Sequence, residues 1–183
     1  INLMKCLNET FPRVFSSETA AADLAAQQRR KILSTRKWYK NDFYLSTDNA
    51  ALDAGFICRS RPHPVGQRHL ALALHGSLCF GLYRKARQIG FARMVTDLAG
   101  TVVLRDLIVA PEYRFIGLGS WMLSCSLSHP ATQSCCAVLC WSSEASPFLI
   151  KNGFSAVPTV SGLHIFRLLN ADVEAHAEPC ALH

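Results

Sequence analysis

Apolar runs bounded by polar residues are clearest in the middle of the chain. Residues 77–83 (S-L-C-F-G-L-Y) and 88–95 (Q-I-G-F-A-R-M-V) read as strands, and the polar R-K-A-R between them as a hairpin turn. Residues 101–109 (T-V-V-L-R-D-L-I-V) form the next predicted strand, entered from a turn at Gly100. A helix-like run then begins around Trp121 and Met122 and stops near Pro130, whose ring cannot continue the helical ladder. Residues 137–141 predict another strand and 146–151 a short helix closed by Asn152 and Gly153. A last strand pair, 154–157 and 163–168, folds around Ser161 and Gly162.

Upstream the pattern is weaker. Residues 41–47 read as a strand, after which Thr47 or Asp48 can cap a helix through 49–58 with Leu52, Phe56 and Ile57 inward. Two prolines make 59–66 a loop, and 67–75 a short helix. Residues 17–33 are helix-like, acidic early and basic late, which suits the helix dipole. The apolar face of that stretch is mostly alanine, so it buries little. The chain therefore divides into a basic, partly helical appendage (1–37), a folded domain (38–169) and a polar tail (170–183). The order β-α-α-β-β-β-α-β-α-β-β predicts an α/β (α+β) domain, a mixed sheet with helices on both faces.

Composition narrows the partners. Of 183 residues half are hydrophobic and 17% charged, which is enough for a folded core. No apolar run approaches the roughly 18 residues of a membrane span. The net charge of +6 is uneven, with eight Lys/Arg against three Asp/Glu in residues 1–40. A solvated helix face accounts for the excess at 29–40, while a nucleic-acid site there stays open. Eight cysteines fit neither a secreted disulfide framework nor paired zinc knuckles. Reduced thiols in a cytoplasmic protein, without a metal, are the expectation.

Between the strand 101–109 and the following helix lies V-A-P-E-Y-R-F-I-G-L-G-S-W-M, containing Arg114-x-x-Gly117-x-Gly119. A glycine loop that opens a helix can turn several backbone N–H groups toward one anion, with the helix dipole behind them.

That loop, together with D-L-I-V-A-P-E-Y-R, R-Q-I-G-F-A-R-M-V-T-D, S-L-C-F-G-L-Y and Asn152-Gly153-Phe154, resembles the GNAT family of acetyl-CoA-dependent N-acetyltransferases, in particular a subgroup of small bacterial-type members. The resemblance covers about residues 39–169. It implies the GNAT fold, whose sheet splays between the strands 101–109 and 137–141. It implies that the backbone of Arg114, Phe115, Ile116, Gly117, Leu118, Gly119 and Ser120 holds the pyrophosphate of acetyl-CoA. Leu107, Ile108 and Val109 would pair with the pantetheine arm, and a main-chain N–H near Val109 would polarise the acetyl carbonyl.

The expected reaction is direct attack of a primary amine through a tetrahedral intermediate. Asp106 and Glu144 are candidates for base or substrate anchor; a structural carboxylate and a helix cap are their respective alternatives. The family's usual tyrosine, four residues before the glycine of its G-F element, is Leu149 here and carries no proton. Ser142, Ser146 or Tyr113 would have to supply one. Ile116 replaces a residue usually basic in the subgroup, and the segment 58–64 is shorter than usual where the acceptor pocket is lined. A catalytically weak acyl-CoA-binding module is thus the alternative to an active enzyme. A small-molecule or peptide amine is the expected acceptor, and a homodimer is left open.

Overall fold

The computed structural model describes residues 12–61 and 66–167. The expectations for the tail from 170, for Cys6 and Cys180 and for residues 62–65 of the proline loop lie outside the described residues. Two units separate at Ser34, residues 1–34 and 35–183. In the first, α1 (Pro12–Ile32) starts five residues before the predicted 17 and ends on Arg29, Arg30 and Lys31, cations that suit a helix C-terminus.

The second unit is built on an eight-stranded sheet. Its strands are β1 (Lys37–Lys40), β2 (Phe43–Ser46), β3 (Leu78–Arg84), β4 (Arg87–Thr96), β5 (Thr101–Val109), β6 (Ala137–Trp141), β7 (Ser155–Ala156) and β8 (Leu163–Arg167), in the spatial order β1-β2-β3-β4-β5-β6-β8-β7. Among the described residues only the β5–β6 pairing is parallel. Helices α2 (Ala54–Ser60), α3 (Gln67–His75), α4 (Leu118–Leu127), α5 (Pro130–Gln133) and α6 (Ser146–Lys151) complete it.

Two expectations are corrected here. Strand β1 falls partly inside the stretch read as appendage, because Lys37-Trp38-Tyr39-Lys40 is exposed except at Trp38 and shows no apolar alternation. Charged side chains on an edge strand discourage pairing with other chains. The helix predicted over 49–58 is broken at Leu52, whose extended backbone (ψ 130°) separates a 3-10 turn, Asn49–Ala51, from α2. Each piece has its own aspartate cap: Asp48 accepts from the Ala50 N–H and Asp53 from the Phe56 N–H. A Gln88 side chain ties the Asp53 N–H to β4 at 2.6 Å.

Strand alternation gives the sheet two cores. Cys79, Phe91 and Ile108 face α2 and α3, packing with Ile57 and Leu70. Phe80, Met94 and Leu104 occupy the alternate positions, all at most 3% exposed. On that face Thr132 of α5 donates to the Ser126 carbonyl at 2.8 Å beside the Met94 sulfur, and Phe80 meets His129 edge-on. Helix α6 ends as its sequence foretells: Gly153 takes φ 90°, and the Phe154 N–H bonds back to the Leu149 carbonyl.

Candidate functional site

The centre of the sheet is interrupted at β5. Pairing with β6 runs from Thr101↔Ala137 to Leu104↔Cys140 and stops there, while β5 continues to Val109 beside β4. The cause is a bulge. On the β4 side the register passes from Arg93↔Arg105 to Phe91↔Ile108, so Asp106 and Leu107 together oppose Ala92. Asp106 takes φ 53°, a left-handed conformation that bulges usually reserve for glycine and that aspartate tolerates better than most residues. An extra residue bends a strand and increases its twist, which turns 105–109 away from β6.

Asp106 is held there by charge. Its Oδ2 accepts from Arg93 Nε at 2.8 Å and its Oδ1 from an Arg61 terminal nitrogen at 3.0 Å. Arg93 also reaches the Ser77 hydroxyl at 3.2 Å. These three charged side chains are 10–15% exposed. The sequence offered Asp106 alone as a candidate; Arg61 lies in a loop, and Arg93, inside the segment R-Q-I-G-F-A-R-M-V-T-D, had nothing to mark it as a partner of Asp106. Cys79 lies beside this cluster, and burial pushes its thiol up to about 12, against a smaller opposing pull from Arg93. It stays a protonated, apolar-like side chain.

Beyond the bulge the backbone turns its polar groups toward the gap. The Ala110 N–H bonds to the Ile89 carbonyl at 2.8 Å, so the alternation of an antiparallel ladder makes 91↔108 a bonded pair and 90↔109 a non-bonded one. Ile108 is thereby committed to Phe91, and Val109 presents its N–H and C=O to the open side. Arg114 Nε takes that carbonyl at 2.9 Å.

A 3-10 turn, Pro111–Tyr113, leads into the loop. Phe115 (φ 63°) is fully exposed and Ile116 59% exposed, so the loop tip is apolar. Gly117 caps α4 at φ 83°, ψ 0°, and no side chain accepts from the first turn of that helix. Its leading N–H groups, Leu118, Gly119 and Ser120 among them, therefore lack capping partners. Gly117 is required by its conformation; Gly119 is not, since a Cβ there would meet Phe148 at 3.6 Å and Val109 Cγ2 at 3.9 Å, ordinary contact distances. Gly119 thus sits between the end of β5 and the first turn of α6, joining the loop to the gap. Tyr113 packs edge-on to Phe43, with Arg84 over its ring at 5.9 Å.

The remaining candidates lie across the gap. Ser142 follows β6, and its Oγ accepts from the Ala145 N–H at 3.0 Å, which fixes the turn before α6. Glu144 is exposed in that turn. It does not cap α6: the cap position is Ala145, and no side chain makes a cap hydrogen bond there. Leu149 is 1% exposed, packed inside the domain. Of the histidines, His75 is exposed, while His129 and His164 are buried. His164 has two hydrogen-bond partners, a detail the sequence gave no sign of.

The fold that carries this site is shared with proteins of known structure. A structure from Xanthomonas campestris, described as of the GNAT family, superposes with a TM-score of 0.58 at 30% identity, over 63% of this chain and 86% of that one. The chain belongs to the GNAT family. A GNAT acetyltransferase from Elizabethkingia anophelis, solved with acetyl-CoA bound, shares the fold at TM-score 0.56 and 12% identity, covering 70% of this chain and all of its own. Among curated proteins, one from Gibberella zeae provisionally named an acetyltransferase is 31% identical over 119 residues, a match spanning 50% of this chain and 66% of that protein. No protein-family model matches the chain.

Proposed function

We propose that this GNAT-family chain is an acetyl-CoA-dependent N-acetyltransferase that moves the acetyl group to a primary amine by direct attack. The observation that carries the reading is the meeting, at the end of β5, of an unpaired strand edge and an uncapped helix N-terminus. The relative from Elizabethkingia anophelis binds acetyl-CoA on the same fold, which supports the choice of cosubstrate. N-acetylglutamate synthase from Neisseria gonorrhoeae, solved with coenzyme A and L-arginine, shares the fold at TM-score 0.54 and 14% identity, covering 75% of this chain and 33% of its own.

Each element then has a task. The N–H groups of 115–120 hold the pyrophosphate, and the α4 dipole favours its charge. The Val109 edge accepts the pantetheine amide as an added strand would, which is the physics of β-augmentation. The Val109 N–H donates to the acetyl oxygen and steadies the tetrahedral oxyanion; one such donor is typically worth about 2.7–4 kcal/mol. Asp106 shapes this site through the bulge: with two guanidinium partners on its carboxylate, it holds Val109 in place rather than taking the amine's proton. Glu144, exposed at the mouth, is the better-placed anchor for a cationic acceptor.

Leu149 favours a second reading, a fold that binds acyl-CoA with little turnover. General-acid help is typically worth about 10²–10⁴-fold, and a buried leucine supplies none. Two measurements on one preparation decide between them. Thermal shift with acetyl-CoA reports binding, with about 2.7 kcal/mol of added stability expected at one hundred times Kd. Thiol release across a panel of amines reports transfer. Binding with release supports the enzyme, binding without release the second reading, and no shift at millimolar acetyl-CoA sinks both.

A further inference from the structure

Ser146 opens α6, where the chain returns toward the sheet after β6. Its hydroxyl oxygen lies 2.8 Å from Nε2 of His164, and Nδ1 of the same ring lies 3.1 Å from the Gly162 carbonyl oxygen. A carbonyl can only accept, so Nδ1 carries the ring hydrogen and Nε2 offers a lone pair. The Ser146 hydroxyl therefore donates to His164. His164 is 2% exposed and Ser146 is half-buried.

The placement of this pair matters. His164 pairs with Cys140, and Cys140 pairs with Leu104, so the imidazole belongs to the last paired row before the sheet opens. Ser146 opens the first turn of α6, the turn whose Phe148 packs beside Gly119, and Gly119 also borders Val109 at the end of β5. Ser146 is also one helical turn before Leu149, the position that lacks a proton to give.

We propose that Ser146 and His164 form a proton relay that serves both halves of acetyl transfer, an inference that rests on the functional reading above. When the amine attacks, the C–N bond forms and the nitrogen's proton passes to Ser146 Oγ as the hydroxyl proton passes to His164 Nε2. When the C–S bond breaks, the imidazolium returns its proton to Oγ, and the hydroxyl protonates the departing thiolate. One N–H and one C–S bond are lost, one C–N and one S–H bond are gained, and the pair ends as it began. Nδ1 keeps its hydrogen on Gly162 throughout. Ser146 touches the reacting atoms; His164 acts through it as a positioning and proton-holding residue.

The test is steady-state kinetics of Ser146→Ala, Ser146→Thr and His164→Asn, with acetyl-CoA affinity measured in parallel by calorimetry. Loss of proton transfer should lower kcat about 10²–10⁴-fold in Ser146→Ala and His164→Asn. The affinity for acetyl-CoA should stay within about twofold of the wild type, as expected when only a transition-state interaction is removed. Ser146→Thr, which keeps a hydroxyl, should restore most of the rate. An unchanged kcat in Ser146→Ala overturns the relay, as does a threonine variant no better than alanine. A wild-type protein that binds acetyl-CoA but releases no thiol with any amine also overturns it. Failure to bind acetyl-CoA falls instead on the functional reading beneath it.

Discussion

Replacing Asp106 should separate two contributions that the bulge combines. The carboxylate sits between Arg93 at 2.8 Å and Arg61 at 3.0 Å, and all three side chains are 10–15% exposed. Removing one partner of a buried ion pair costs about 3–5 kcal/mol, because the charge left behind is neither hydrated nor paired. The residual exposure argues for the lower end, about 3 kcal/mol. Asp106 also holds φ 53°, where a Cβ costs roughly 1–2 kcal/mol and aspartate or asparagine recovers part of that by local hydrogen bonding. Asp106→Ala loses both terms and should fall by about 4 kcal/mol. Asp106→Gly loses only the charge and should be about 1 kcal/mol better than alanine. Asp106→Asn keeps an acceptor and the conformation and should be mildest. Urea unfolding followed by circular dichroism checks the order; the alanine variant should also melt roughly 8–16 °C lower, at about 2–4 °C per kcal/mol for a chain of this size. An alanine variant within about 0.5 kcal/mol of the wild type, the usual range of surface substitutions, would refute the role given to the triad. Glycine equal to alanine would refute the conformational part alone.

Three further outcomes follow from buried groups and the loop. Burial, with a smaller push from Arg36, brings His129 down to about 4 from 6.5, so the unfolded chain binds more protons than the folded one between those values. Stability should therefore be full above about pH 6.5 and fall by about 3 kcal/mol as pH drops toward 4; a pH series of urea midpoints should show that fall, and His129→Leu should flatten it. Leu149→Tyr, the change that would restore the family's usual residue, should destabilise by about 1–3 kcal/mol from overpacking at a 1% exposed site, without raising turnover; a stable variant with faster thiol release would contradict the buried placement. Gly117→Ala should cost about 1–2 kcal/mol in stability through its left-handed conformation, and weaken acetyl-CoA binding in calorimetry if the loop grips the pyrophosphate.

Much of the sheet was legible because β3, β4, β5 and β6 are short apolar-rich runs, with turn residues joining β3 to β4 and β4 to β5. The glycine loop was legible for its position rather than its contacts. Strand β1 was hidden by its own edge chemistry, since two lysines and an exposed tyrosine look like a solvated run. The basic stretch 29–40 proved to be two things, the last turn of α1 and this edge strand, where Lys40 lies 5.9 Å from the Trp121 ring centre. The bulge left no trace, because the run L-R-D-L-I-V reads through it as an unbroken strand, and the arginines that stabilise it are distant in sequence. The Ser146–His164 pair was invisible for the same reason: its hydrogen bond spans 18 residues and belongs to no motif.

The central claim is that acetyl-CoA binds along the open edge of β5 and at the first turn of α4. Amide chemical-shift and exchange measurements on labelled protein, with and without acetyl-CoA, test it residue by residue. The account predicts shifted and protected N–H signals at Val109 and across Phe115–Ser120, with little change on β1 and β2. Binding that leaves Val109 and the 115–120 amides unmoved would contradict it.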